Sequence, residues 1–108
     1  MFALGACWPN VRQHHWRSLL IARAIENQAI VLGCNRTGKD PALQYAGGSI
    51  AVGPKGETLG ELGAEEAVLS VPIDLPGVRE WRGAFRAWRD QRLAVGEAPT
   101  ITPAPLLT

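Results

Sequence analysis

At 108 residues, with 46% hydrophobic and 19% charged side chains, the chain has the composition of one small folded domain and not of a disordered segment. A formal net charge of +1 supplies no field that would gather polyanions, so overall charge does not point to nucleic acid or to an anionic membrane as partner. No apolar run approaches the roughly 20 residues of a membrane-spanning helix, and the N-terminus lacks a basic leader followed by a long apolar stretch, so a cytosolic protein is the default expectation.

The chain opens on Met1-Phe2-Ala3-Leu4-Gly5, an apolar, strand-like stretch with no polar leader, and the elements that follow offer few partners to cover it. This points to a missing N-terminal half. Trp8-Pro9-Asn10 ends that strand, because proline has no N–H to give a ladder and restricts the residue before it. Residues 14–28 are rich in helix formers, with Trp16, Leu19, Leu20 and Ala24 on one face and Ile21 and Ile25 widening it. Arg17, Arg23 and Glu26 are the only central charges, so the helix is expected to pack on more than one side, as an interior layer does.

Residues 29–34 form a continuous apolar run with β-branched members, the pattern of a strand buried on both faces. Residues 35–44 are dense in turn formers and are expected to be a loop, and 47–52 return to a strand. Pro54-Lys55-Gly56-Glu57 has the composition of a hairpin turn, with Thr58 and Leu59 starting the return. Residues 67–73 are a further strand candidate, placed at an edge or strand end by Pro72, and Asp74 is a candidate helix cap. Val78, Trp81, Phe85 and Trp88 recur at steps of three and four, predicting an amphipathic helix over 78–93. Its arginines encircle a hydrophobic stripe and do not alternate with exposed stacking aromatics, which favours a solvated helix face over an RNA-binding one. Residues 94–108 are proline-rich and aperiodic, the composition of a tail.

Cys7 and Cys34 form no C-x-x-C or Cys/His cluster, so neither a metal site nor a disulfide framework is indicated and both are expected to be reduced thiols.

The succession Trp8-Pro9, Arg12, His15-Trp16, Leu19-Leu20, Ala22-Arg23-Ala24-Ile25-Glu26-Asn27-Gln28, Asn35-Arg36, Gly38 and Asp40 resembles the carbon-nitrogen hydrolases of the nitrilase superfamily. Tyr45 to Ser49, Pro54 to Glu57 and Ile73-Asp74 continue the likeness, which runs in order from Phe2 to about Arg92. The A-R-A-I-E-N-Q block is its most specific part. The resemblance implies an α/β fold, with residues 1–93 as the C-terminal part of a four-layer αββα sandwich. Within the superfamily the wording is most similar to omega-amidase-like enzymes, which cleave the terminal amide of short dicarboxylate monoamides such as 2-oxoglutaramate. It implies a Cys nucleophile, a Glu base and a Lys that stabilises the oxyanion, with no metal and no cofactor. It also implies a homodimer or larger homo-oligomer in the parent enzyme, with the helix near His15 to Gln28 contributing.

The family nucleophile sits in a C-x-D-x-R-F-P-E-like motif upstream of the W-P loop, with its Lys and Glu further upstream, and this sequence holds no match to that motif. No residue of the chain is therefore expected to be catalytic. Ala6, Cys7 and Trp8 are the candidates for contact with substrate, since the resemblance sets this strand end beside the nucleophile. Cys7 lacks the flanking acid and arginine of the family nucleophile and is expected to be a partly buried thiol near the pocket, and Cys34 a core residue. His14 and His15 belong to the helix start, His15 orienting the loop by hydrogen bonding. Glu26 is expected to be a structural acid paired with Arg23 or Arg36. The alternative to a hydrolase fragment is a truncated, non-catalytic partner that binds another subunit through exposed apolar surface. An independent Arg-rich binding module is a third, weaker reading.

Overall fold

A computed structural model describes residues 1–90. The tail expected over 94–108 and the last three positions of the expected 78–93 helix lie outside the described residues.

The chain begins with strand β1 (Phe2–Ala6), passes through a 3-10 turn at Asn10–Arg12 and enters helix α1 (Gln13–Asn27). Strand β2 (Val31–Asn35), a short hairpin of β3 (Thr37–Lys39) and β4 (Gln44–Ala46), and strands β5 (Ile50–Val52) and β6 (Thr58–Glu61) follow. Helix α2 (Leu75–Ala84) and a second 3-10 turn (Ala87–Asp90) complete the described part. The main sheet has the order β1-β2-β5-β6, with β1 and β2 parallel in the register Phe2↔Val31 to Ala6↔Asn35 and the remaining pairs antiparallel. A parallel neighbour requires a crossover, and α1 is that crossover.

Alternation along the strands decides which side chains meet α1. Val31, Gly33, Ile50 and Val52 share one face by register, and Trp16, Leu20 and Ala24, spaced four apart on α1, close over it to form the core. Gly33 is small because α1 lies that close: a Cβ there would stand 2.6 Å from Leu20 Cδ1 and 3.0 Å from Trp16 Cζ2. The opposite face, carrying Ala3, Gly5, Leu32 and Cys34, borders an open groove of about 760 Å³. The expectation of a strand buried on both faces is therefore corrected: Val31, Gly33 and Asn35 are buried, while Leu32 is half-buried and Cys34 exposed. Likewise α1 is covered on one side, with Leu19 and Ile25 at 44% and 50% exposure. An apolar run records that a strand suits burial twice over; among the described residues only one layer covers it.

Three further expectations change. The loop at 35–44 contains the β3-β4 hairpin, its turn formers being gathered into 40–43, where Asp40 Oδ1 accepts from the N–H groups of Ala42 (2.9 Å) and Leu43 (2.7 Å). The stretch 67–73 joins no ladder among the described residues. It lies over the sheet, with Leu69 and Val71 seated on Gly60, so its apolar alternation serves packing against a face and not pairing at an edge. Helix α2 stops at Ala84 because Phe85 is extended (φ −119°, ψ 95°) and side chains capture the terminal carbonyls. Trp88 Nε1 donates to Arg82 O, Arg86 Nε to Gly83 O and Gln28 Nε2 to Phe85 O. The expected stripe is thus split, leaving Phe85 and Trp88 exposed.

Other readings hold. Asp74 caps α2, its Oδ1 accepting from Gly77 N at 2.9 Å. The turn at 54–57 joins β5 to β6, with Gly53 N donating to Glu57 O at 2.8 Å and Gly56 at φ 85°. At the far end of α1, Gln28 adopts φ 47°, and Arg82 Nη1 donates to the carbonyls of Asn27 and Gln28, placing a cation on the negative end of the helix. Among the described residues no helix is long and apolar enough to cross a membrane.

Candidate functional site

The two parallel strands end together at Ala6 and Asn35, and in open α/β sheets the crevice outside the carboxyl ends of the strands is where ligands bind. The three residues singled out from sequence occupy this edge. Ala6 and Trp8 turn toward α1 and pack against the core, Trp8 lying 5.9 Å from Trp16 between ring centroids, while Cys7 between them is exposed. Cys7 therefore differs from the partly buried thiol anticipated, and Cys34 from the core residue anticipated: both are exposed, Cys7 in the loop after β1 and Cys34 on the face of β2 that borders the groove.

The loop after β1 is fixed by hydrogen bonds at both ends of Trp8. Its indole Nε1 donates to Arg12 O at 2.7 Å, which folds Trp8 over the 3-10 turn. Its backbone is held by Asn35, a residue only 5% exposed, whose Oδ1 accepts from Trp8 N at 2.7 Å and whose Nδ2 donates to Trp8 O at 3.1 Å. The same Nδ2 donates to Gly47 O at 2.8 Å, and the Asn35 N–H donates to Ser49 Oγ at 3.0 Å.

Gly47 and Gly48 make the opposite wall. Both lie in the left-handed region (φ 63° and 73°), which only glycine adopts without penalty, and their carbonyls accept from α1: Gln13 Nε2 to Gly47 O at 3.1 Å and Trp16 Nε1 to Gly48 O at 2.9 Å. At Gly47 a Cβ would stand 2.6 Å from the Gly63 carbonyl oxygen, a backbone atom that cannot swing aside. Helix, glycine turn and strand end are thus stitched by side chains reaching backbone atoms.

Beside this edge stands the β3-β4 hairpin. The Tyr45 hydroxyl donates to Asp40 Oδ2 at 2.5 Å, and Arg36 lies 4.5 Å over the Tyr45 ring and 3.8 Å from Asp40. The Tyr45 bond, followed by the N–H groups of Ala42 and Leu43, holds the Asp40 carboxyl below its ordinary range. The same bond, with burial adding to it, raises the Tyr45 phenol.

The two histidines fall in the first turn of α1, as expected, but His15 makes no side-chain hydrogen bond among the described residues; Trp8, Gln13 and Asn35 orient the loop in its place. Glu26 pairs with Arg23 at 2.6 Å on an exposed helix face, while Arg36 is engaged with the hairpin. Asn35 entered the sequence reading only as part of the motif succession, with no role assigned to it. Its signal was a carboxamide closing an apolar strand, where a hydrophobic residue would satisfy packing alone. Among the described residues no group of three His, Cys, Asp or Glu side chains is arranged to hold a metal ion.

Residues 6–83 match the carbon-nitrogen hydrolase family. The chain is 45% identical over 89 residues to 2-oxoglutaramate amidase of Bacillus subtilis, covering 82% of this chain and 34% of the relative. It is 44% identical over 87 residues to omega-amidase YafV of Escherichia coli, covering 79% and 34%. A solved CN-hydrolase superfamily protein from Xanthomonas campestris superimposes with a TM-score of 0.82 at 36% identity, covering 89% of this chain and 37% of that one. The chain thus spans about a third of the length of the curated relatives it matches.

Proposed function

The chain belongs to the carbon-nitrogen hydrolase family, and from that premise we propose that it forms part of an omega-amidase-like enzyme that hydrolyses the terminal amide of short linear monoamides. In this reading the Cys, Glu and Lys that do the chemistry belong to polypeptide preceding residue 1, and the present chain contributes the C-terminal part of an αββα sandwich. The thiolate attacks the amide carbon, ammonia leaves from the tetrahedral intermediate, and water activated by the Glu hydrolyses the thioester. No metal or cofactor takes part. The segment Ala6, Cys7 and Trp8 forms one wall of the pocket for the acyl group.

The observation that carries this reading is the 44–45% identity to two relatives named for this class of amidase. The open sheet face beside Ala3, Gly5, Leu32 and Cys34 adds to it, because a sandwich needs a second sheet about 10 Å away on such a face. Neither cysteine has the sequence context of the family nucleophile.

The test is ammonia release from 2-oxoglutaramate and from short aliphatic amides. The purified 108-residue chain releases none above background. A chimera that places it behind the Cys-, Glu- and Lys-bearing segments of the Bacillus subtilis relative turns these amides over, and Trp8→Ala in that chimera shifts KM between substrates. Robust turnover by the chain alone that Cys7→Ala abolishes overturns the assignment of the nucleophile. The same open groove also favours a second reading, a non-catalytic partner docking through this face. A ribosome-binding site directly ahead of Met1, with no reading frame upstream encoding the catalytic segments, selects it.

A further inference from the structure

Backbone pairing between β1 and β2 ends with Ala6↔Asn35 and the bond from Arg36 N to Ala6 O at 3.0 Å. The next donor and acceptor to be satisfied on β1's side are the N–H and C=O of Trp8, and Pro9 beyond them has no N–H with which to continue a ladder. The Asn35 carboxamide meets both. It accepts from Trp8 N and donates to Trp8 O, as a neighbouring strand would, and spends its second N–H on Gly47 O. Every polar group of the side chain is used, and the reversed amide would set its oxygen against two carbonyls, so only one orientation fits.

We propose that Asn35 is a positioning residue, whose carboxamide acts as a surrogate strand partner for Trp8 and thereby sets the position of the Cys7-Trp8-Pro9 loop against the glycine turn. Its relevance to catalysis rests on the reading that this loop walls the amide pocket; the positioning itself does not. The choice of asparagine follows from the chemistry. Aspartate is isosteric and keeps the acceptor for Trp8 N, but it directs a carboxylate oxygen at the carbonyls of Trp8 and Gly47. A hydrophobic residue fills the volume and leaves both Trp8 groups without partners.

The chain carries its own reporter and control, because Cys7 lies inside the loop and Cys34 is an exposed thiol on the same sheet outside it. Alkylation by iodoacetamide, followed residue by residue by mass spectrometry in the 108-residue chain, compares the native protein with Asn35→Asp. The Cys7 rate changes by about fivefold or more while that of Cys34 stays constant. Ser49→Ala, which removes the partner of the Asn35 backbone N–H and leaves the carboxamide in place, keeps the native ratio. Equal changes at both thiols, or none, overturn the proposal. Should Asn35→Asp fail to fold, hydrogen exchange in the unmodified chain decides. Slow exchange at Trp8 N and at Asn35 Nδ2 relative to the Asn10 side chain supports the surrogate strand, and solvent-rate exchange at both removes it. Loss of amidase activity in the chimera bears on the pocket reading alone, so the two fail separately.

Discussion

The two faces of the main sheet differ in everything but their strands. Toward α1, Val31, Ile50 and Val52 meet Trp16, Leu20 and Ala24 with so little space that residue 33 has no side chain. On the other side Ala3, Gly5, Leu32 and Cys34 stand at one wall of an open groove whose other wall is the extended segment, with Leu69 and Val71 seated on Gly60 of the far strand. One face is a finished interior, with its indole N–H paired to Gly48 O, and the other is a surface of small and apolar side chains that, among the described residues, is covered over β5 and β6 by the extended segment and left open over β1 and β2. The difference shows that apolar sequence states a capacity for burial, whereas burial itself requires a second element at the right distance.

Substitutions on the two faces should therefore diverge sharply. The largest effect belongs to Trp16→Ala, which empties the centre of the sealed face and strips Gly48 O of its donor. A loss of about 3–5 kcal/mol in stability is expected by urea denaturation. Gly33→Val comes next: its branches enter the space of Leu20 and Trp16, and the same measurement should register a loss of about 1–3 kcal/mol. Smallest is Cys34→Ser, one residue further along the same strand but on the open face, expected to stay within about 0.5 kcal/mol. A cost at Cys34 as large as that at Gly33 would break the comparison, since it would mean that the open face is covered in solution. Repeating Cys34→Ser in the chimera sharpens it: the cost should rise there if a second sheet closes the groove.

Much of this architecture was legible in the residues. The spacing of Trp16, Leu20 and Ala24 and the absence of internal glycine or proline predicted α1 to within a residue, and Pro54-Lys55-Gly56-Glu57 predicted its turn, because both depend on interactions a few positions apart. The strand at 67–73 failed for the converse reason. Alternating apolar residues suit pairing at an edge and packing across a face equally well, and only Gly60 beneath Leu69 and Val71 distinguishes them. The 78–93 helix was shortened by carbonyl partners, among them Gln28, that lie far away in sequence. The end of β1 at Ala6 was legible from Trp8-Pro9, but the anchor of the loop after it was not, since the bonds of Asn35 span 12 and 27 residues.

By itself the sequence determined the family, helix α1 and the strand end on which a pocket wall is proposed, because these rest on local periodicity and on motif order. Only the tertiary structure decided which face of each strand is sealed, that both cysteines stand exposed, and that one buried carboxamide carries the loop after β1. Those outcomes depend on which distant elements come within packing or hydrogen-bonding distance, and residue order alone does not measure that distance.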